Sequence, residues 1–250
     1  MAEPLQELYR FCPLSHCVYI YCAAVVFSQT AVSGHFMKLP DNIEDFMVWF
    51  KNQSENHFAT LELDKDVYGL QPQKGTKWRS GLTADELNSF QSELGFDFPA
   101  ELIAFYKTMN GTDLPGVNIY GDRGDPYYYA PIYFSYPEHL ATIKRLIDER
   151  LKVTGLTIEQ LKEKKIPNIF PINDYYFMVI DDNTNPIYYL SIAHRNHDIN
   201  QPYVYGELWT DSLQNWLMKE AFHQAEHVSD LEEFPNKPRT PNFWTTKTNR

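Results

Sequence analysis

Two histidines late in the sequence are the first residues whose type and spacing could support chemistry. His194 and His197 stand three residues apart in the segment HRNH, and Asp198 follows directly. A zinc site needs three or four converging ligands, and no cysteine occurs after residue 22 to complete one. The segment is therefore predicted to be a polar loop between two strands, and we expect neither a metal ion nor another cofactor.

The acidic turn DDNTNP is the second candidate, because Asp181, Asn183 and Asn185 follow the D-x-N-x-N pattern of a calcium loop. Such a loop also requires glycine at its sixth position and glutamate at its twelfth. Pro186 and Ile192 occupy those positions here. The pattern therefore fails for calcium, and a hairpin turn between two strands is predicted.

Signals for enzymatic catalysis are weak throughout the sequence. Nucleophilic catalysis needs a Ser, Cys or Thr held against a base and an oxyanion hole, but no G-x-S-x-G motif or glycine-rich phosphate loop occurs. Asp174, Asp181 and Asp182 could pair for acid–base work, although acids in turns are usually solvated. No catalytic residue is assigned, and the chain is predicted not to be an enzyme. An undetected hydrolase stays as a remote alternative.

The composition indicates a packed, acidic protein. The 250 residues are 43% hydrophobic and 15% aromatic, which suits a folded core in one large domain or two small ones. The net charge of -11 disfavours a nucleic-acid partner, whose phosphates are also negative. It suits solubility, and it would also steer the chain toward a basic partner.

The first 36 residues differ from the rest of the sequence. They contain Cys12, Cys17 and Cys22, the three cysteines of the chain, and a ten-residue apolar run at 18–27. That run is too short for a membrane-spanning helix, and the flank before it lacks the positive charge of a secretory signal. Because Met37 opens a segment typical of a natural start, residues 1–36 are interpreted as a misassigned start or dispensable extension. A cleaved signal and a structural segment are the alternatives.

Helical periodicity follows in two segments of the body. DNIEDFMVWF predicts a helix with Asp41 as its N-cap. LTADELNSFQSEL predicts another, with Thr83 and Glu86 as a capping box and Leu82 and Leu87 as a hydrophobic staple.

Two more helices are predicted from their boundary residues. In GFDFPAELIAFYKTMNGTD, Pro99 is placed in the first turn, and Asn110 with Gly111 is expected to end the helix. In SYPEHLATIKRLIDERL, Ser135 and Glu138 are expected to form a capping box around Pro137.

Strand-like segments fill most of the remaining body. They are GVNIY, YYYAPIYF, IFPI, YYFMVID, PIYYLSI and YVYGELW, and the amphipathic segment DSLQNWLMKEAF follows them. Helices followed by strands and a closing helix indicate an α+β fold with a largely antiparallel sheet. The final 229–250 segment, with three prolines in its last 17 residues, is predicted to be a loosely ordered tail.

The run GLTADELNSFQSELGFDFPAELIAFYKTMNGTDLPG resembles the signature of the SUKH superfamily, in which a second helix opens with Pro and closes with Asn-Gly. Pro99, Asn110 and Gly111 are the matching residues. The later segments DPYYYAPIYFSYPEHLATIK, IPNIFPINDYYFMVIDDNTNPIYYLS and DSLQNWL resemble the sheet and closing helix of bacterial members. The resemblance covers residues 41–222, and we place a single SUKH-like domain at 37–228.

The resemblance implies a central sheet backed by helices and a protein that binds others without catalysis. Bacterial members imply an immunity protein that neutralises a cognate toxin, such as a basic nuclease, in the cytoplasm. The alternative is a regulatory scaffold of the fungal cell-wall type. An acidic, tyrosine-rich face would suit a basic toxin. The residues proposed for it are Asp125, Tyr127, Tyr128, Tyr129, Asp181 and Asp182; no membrane contact is expected and no oligomeric state is assigned.

Overall fold

The computed structural model describes residues 39–65, 69–121, 126–181, 184–195, 199–222 and 243–244. Within these residues the helices are α1 (Ile43–Thr60), α2 (Ala84–Leu94), α3 (Ala100–Thr108), α4 (Leu140–Thr154), α5 (Ile158–Glu163) and α6 (Leu213–Phe222). The strands are β1 (Trp78–Ser80), β2 (Met109–Thr112), β3 (Gly116–Asn118), β4 (Tyr128–Ala130), β5 (Asn168–Pro171), β6 (Tyr176–Ile180), β7 (Ile187–His194) and β8 (Pro202–Thr210). The predicted α+β class is confirmed.

The strands of the described residues pair antiparallel and form three sheets. The largest has the order β5-β6-β7-β8, and the pairs β1-β2 and β3-β4 stand apart from it. The predicted sheet thus corresponds to the four-stranded one. β1 and β2 were not predicted as strands.

The core is built largely from aromatic rings. Phe90 on α2 lies 5.0 Å from Phe98 and 5.2 Å from Tyr106 on α3, measured between ring centroids. Tyr106 is fully buried, and its hydroxyl donates to the Phe134 carbonyl at 3.1 Å. Such edge-to-face contacts add to the stabilisation from burying the rings, because ring edges and faces carry opposite partial charges.

Local capping signals give mixed results for the first two helices. The capping box of α2 is confirmed, since Thr83 N donates to a Glu86 carboxylate oxygen at 2.8 Å and the Thr83 hydroxyl accepts from Glu86 N at 3.3 Å. For α1 the predicted cap is wrong by one residue. Asn42, not Asp41, caps the helix, and its Oδ1 accepts from the amides of Glu44 and Asp45.

The family signature has a different role from the one predicted. Pro99 is the N-cap of α3 rather than a residue of its first turn, and the helix ends at Thr108, before Asn110 and Gly111. Those two residues lie in β2. Asn110 is buried, and its amide binds the backbone of Tyr136 at both atoms. The Asn-Gly pair therefore fixes a long-range contact and does not stop the helix.

Gly111 is required by both its backbone angle and its surroundings. Its φ is 71°, in the left-handed region that glycine favours. A Cβ added there would lie 2.8 Å from Ser135 Cβ and 3.1 Å from the Tyr133 carbonyl oxygen. The absence of a side chain lets β2 approach the segment before α4.

The start of α4 also departs from the prediction. The helix begins at Leu140 with His139 as N-cap, so Ser135, Pro137 and Glu138 precede it. The Ser135 amide and hydroxyl lie 2.9 and 2.8 Å from His139 Nδ1. A turn closed by the histidine thus replaces the expected capping box.

Arg150 connects α4 to the four-stranded sheet from within the core. Its side chain is buried, and its guanidinium carbon lies 4.5 Å from the centre of the Phe177 ring on β6. One terminal nitrogen donates to the carbonyls of Leu190 at 2.9 Å and Asp174 at 3.3 Å. These contacts align the helix with one face of the sheet.

The chain near its C-terminus returns to the same face. Trp244 is buried, and its indole nitrogen donates to the Pro167 carbonyl at 2.8 Å. A Cβ at Gly206 on β8 would lie 2.3 Å from the Trp244 carbonyl oxygen. Loose order was expected for the whole tail, and this is wrong for Trp244, because a large ring and its N–H both find partners in the domain. The other tail residues except Phe243 lie outside the described residues.

Candidate protein-binding surfaces

The first candidate surface is the tyrosine hairpin, defined as β3, β4 and the exposed Tyr120, Tyr127, Tyr128 and Tyr129. Tyr127 and Tyr129 are each 52% exposed and Tyr120 is 55% exposed. Val117 pairs with Tyr129 in the ladder, and the Val117 amide and carbonyl also bind Gln71 at 2.9 Å. Tyr129 lies on this paired backbone, and Tyr120 and Tyr127 lie next to the two strands. Exposed aromatic side chains held by a hairpin are typical of a preformed contact surface.

The tyrosines do not form one flat face. Tyr128 and Tyr129 are successive residues of β4, and successive side chains of a strand point to opposite sides. Tyr128 shares its side with the buried Ala130 and is the less exposed of the two, at 39%. The Tyr120 hydroxyl is hydrogen bonded to the Lys65 carbonyl, which attaches the hairpin to the segment after α1.

Of the acids predicted to accompany these tyrosines, only Asp181 lies within the described residues. Asp181 is exposed just after β6, whereas Asp125 and Asp182 fall outside the described residues. The turn that follows Asp181 is tied to the first turn of α3, where Asn185 Nδ2 donates to Glu101 Oε2 at 2.7 Å. The tyrosine hairpin instead follows the last turn of α3 through β2.

A second aromatic surface was not predicted from the sequence. One side of the four-stranded sheet carries Tyr175, Tyr176, Tyr189, Tyr203, Tyr205 and Trp209, which we call the aromatic sheet face. The register pairs Tyr176 with Tyr189, and Tyr189 with Glu207, so these side chains share one side of the sheet. A register shift at the start of the β7–β8 pairing brings Trp209 to within 5.1 Å of Tyr176.

The rings of this face are partly exposed. Tyr175 is 58% and Trp209 is 45% exposed, and Tyr175 stacks on Tyr189 with centroids 6.1 Å apart. The sequence did carry a signal for it. In β8, Tyr203 and Tyr205 alternate with Val204 and Gly206, the period-2 pattern of a strand with two different faces.

The aromatic sheet face already contacts two positive charges of this chain. The guanidinium carbon of Arg195 lies 5.7 Å from the centre of the Tyr203 ring, and Lys219 Nζ lies 5.7 Å from that of Trp209. Cations in such positions are attracted by the negative face of the ring. The Tyr205 hydroxyl donates to Glu207 at 3.2 Å, so this acid is partly engaged.

Helix α6 borders the aromatic sheet face. Trp216 is buried, and its ring centroid lies 6.2 Å from Tyr176 and 5.7 Å from Tyr133. Glu220 follows one helical turn later and is only partly exposed. Burial raises the pKa of the Glu220 carboxyl to about 7, and the neighbouring Lys219 offsets only part of this effect.

Ser135 and His139 form the one contact among the described residues that resembles a nucleophile and its base, with 2.8 Å between the hydroxyl and Nδ1. The same nitrogen accepts the Ser135 amide at 2.9 Å. Ser135 is 1% exposed, which leaves no room for a substrate carbonyl beside its hydroxyl. Burial lowers the pKa of His139, so the imidazole is neutral at pH 7 and serves as an acceptor that closes a turn.

The histidine segment and the acidic turn contribute no metal site within the described residues. His194 is exposed at the end of β7, while His197 and Asp198 lie outside the description. Where the structure describes the chain, no group of three His, Cys, Asp or Glu side chains could hold an ion. Likewise, none of the described helices is both long and apolar enough to cross a bilayer.

Fold and surfaces together define an α+β domain with two exposed aromatic surfaces suited to protein binding. Residues 81–232 match the sequence model of the SMI1 / KNR4 family (SUKH-1), and the chain belongs to this family. The family includes toxin-immunity proteins and cell-wall regulators, and membership indicates protein–protein interaction. Comparison with curated proteins and with solved structures gave no match.

Proposed function

We propose that the chain is a non-catalytic immunity protein that binds and neutralises a basic toxin, such as a nuclease, in the cytoplasm. The observation that carries this proposal is the tyrosine hairpin, where Tyr129 on β4 and the flanking Tyr120 and Tyr127 are each about half exposed, in a chain of net charge -11. Membership of the SMI1 / KNR4 family supports a binding role of this kind.

Physical reasons favour the hairpin as an anchor for a protein partner. Tyrosine offers a large apolar ring and a hydroxyl while losing little side-chain entropy on binding, which is why it is frequent among the residues that dominate interfaces. The negative charge of the whole chain would raise the rate at which a basic partner arrives, and this effect weakens as salt is added. Asp125, Asp181 and Asp182 remain proposed contributors to that field.

Co-expression with any toxin domain that is encoded beside this chain's gene tests the proposal. We expect survival of the host cell and a purified one-to-one complex. In the double variant Tyr127→Ser, Tyr129→Ser, loss of two anchor rings should weaken the complex at least about tenfold, since each anchor can contribute more than 1.4 kcal/mol. Val48→Ser removes a similarly exposed apolar side chain from α1 and serves as the control.

The outcome also separates the two roles that the family offers. A chain that neither binds nor protects against the toxin contradicts the immunity role. If the chain instead captures glucan-synthesis or kinase components and gives no protection, the regulatory-scaffold role is supported. The same family match is also the basis for that role.

A further inference from the structure

Glu220 lies where α6 borders the aromatic sheet face, and no described contact balances its negative charge. Glu220 forms no ion pair or hydrogen bond with any residue that the structure describes. The neighbouring cation, Lys219, directs its ammonium group to the Trp209 ring instead. A partly buried carboxylate without a counter-ion is costly, and its raised pKa reflects that cost.

Glu220 lies one turn of α6 after Trp216, at the part of the helix that meets aromatic rings of the sheet. Burial, and then the charge of Glu220, raises the pKa of the Tyr133 and Tyr176 hydroxyls, so both rings lie within its electrostatic reach. Tyr133 is 2% exposed, and its hydroxyl finds no partner among the described residues. The Trp216 ring lies against both tyrosines. A carboxylate set among electron-rich rings is the arrangement that binds ammonium and guanidinium groups.

We propose that the aromatic sheet face is the docking surface for an arginine- or lysine-bearing loop of a basic protein, and that Glu220 receives the cationic head group of this loop. The inference rests on the proposed function and deepens it. It assigns a second contact surface in addition to the tyrosine hairpin, and it identifies the partner's residue that enters this surface as an arginine or a lysine.

Charge and ring chemistry select this occupant. An apolar segment would cover the Glu220 carboxylate without giving it a hydrogen-bond partner, which costs free energy. A second copy of the chain would bring another net charge of -11 to the same face. A basic loop supplies the missing counter-charge, and its other cations can lie over Tyr189 and Tyr205 as Arg195 does over Tyr203.

A peptide probe tests the inference on the full chain without the toxin. The probe is acetyl-Gly-Arg-Gly-Arg-Gly-amide, compared with a peptide in which citrulline, which is uncharged, replaces both arginines. Binding is followed through the indole N–H resonances of the purified protein, and a Trp216→Phe variant identifies the signal next to Glu220. We expect a saturable shift of the Trp209 and Trp216 signals with the arginine peptide, and at least about tenfold weaker binding of the citrulline peptide.

Variants then localise the binding. Glu220→Gln keeps the shape of the side chain and should weaken the arginine peptide about tenfold, and Tyr175→Ser, at a 58% exposed ring, should weaken it severalfold without unfolding the chain. Glu93→Gln changes the net charge equally on exposed α2 and should leave binding within a factor of two. Thermal unfolding of each variant verifies that it is folded.

Equal binding of the two peptides, or equal binding by wild type and Glu220→Gln, would overturn the inference. So would a dimer that Tyr175→Ser dissociates, because the face would then be a contact between copies. These results leave the proposed function intact if the chain still protects against the toxin. Conversely, a chain that binds the peptide as expected but does not protect keeps the surface and loses the immunity role.

Discussion

Asn110 binds Tyr136 through both atoms of its side-chain amide. The Oδ1 atom accepts from the Tyr136 amide at 2.8 Å, and Nδ2 donates to the Tyr136 carbonyl at 2.6 Å. This pair joins β2 to the turn before α4 across 26 residues of sequence. It explains physically why the Asn-Gly signature belongs to the fold and not to a catalytic site.

Asn110→Ala should therefore lower the free energy of unfolding by about 2–4 kcal/mol, because two hydrogen bonds are lost and two backbone groups of the partly buried Tyr136 lose their partners. Urea unfolding measures the change. Asn52→Ala on the exposed side of α1 should change it by less than about 0.5 kcal/mol. Equal effects at the two positions would contradict this account.

Gly111 and Gly155 make a matched pair, since their φ angles are 71° and 70°. Alanine at Gly155, with no atom within 4 Å of the new Cβ, should cost only the left-handed backbone conformation, about 1 kcal/mol. Alanine at Gly111 adds a clash with Ser135 and should cost about 2–4 kcal/mol in the same urea experiment. Equal stability of the two variants would show that the close approach of β2 to Ser135 is not the reason for glycine at position 111.

Arg150→Lys tests the buried connection between α4 and the sheet. Lysine cannot reproduce the planar contact over Phe177 together with the bonds to two carbonyls, so we expect a loss of about 2–4 kcal/mol. Arg145→Lys on the exposed side of the same helix is the control, because its ion pair with Glu149 lies in solvent. A loss below 0.5 kcal/mol for Arg150→Lys would show, on the scale of exposed ion pairs, that the carbonyl contacts add little.

His139 predicts a loss of stability in weak acid. Burial lowers its pKa from 6.5, with Glu138 opposing and Arg79 adding to the shift, so the folded state binds fewer protons than the unfolded one. The stabilisation is complete above pH 6.5 and is lost as the pH falls through the lowered value. His139→Asn keeps an acceptor without titrating near that pH. Its urea midpoint should fall less than that of wild type between pH 7.5 and 5, and an identical fall would contradict the assignment.

Glu220 predicts a stability that decreases as the pH rises, the opposite of the effect of His139. Its pKa rises from 4.5 to about 7, so the folded state keeps a proton that the unfolded state releases, and stability falls as the pH rises through this window. Lys219, Tyr133 and Tyr176 are the charged or titratable groups beside it. Glu220→Gln should raise the free energy of unfolding by about 1–3 kcal/mol at pH 8 and change it little at pH 4.5. A destabilised variant at pH 8 would show that the carboxylate has a partner.

Sequence signals between residues a few positions apart predicted most of the secondary structure. The Thr83–Glu86 capping box, the amphipathic helices and the antiparallel strands follow from residues a few positions apart, and the structure confirms them. The position of Asn110 and Gly111 was misread because glycine with positive φ serves strands and close packing as well as helix ends. Their actual partners, Tyr136 and Ser135, are distant in sequence.

The aromatic sheet face could not be predicted from any local sequence pattern, because it depends on strand register. Tyr176, Tyr189 and Glu207 come together only through the register of three strands, and Trp209 joins them through a register shift. The contact of Arg150 with the Leu190 carbonyl likewise depends on how α4 packs on the sheet, which the sequence of the helix does not reveal. The tyrosines at 127–129 were found from the sequence because they are adjacent in it, whereas their split between two sides of β4 required the structure.

The contact of Trp244 with Pro167 and Gly206 has a consequence for how the chain is made. Strand β8 and the preceding strands can pair once residue 210 has left the ribosome, but the face of the sheet opposite the aromatic rings is completed only when residue 244 arrives. Before that point α4 already packs against this face through Arg150, and Gly206 still lacks the cover that Trp244 provides, so docking of the Trp244 segment is a late step of folding.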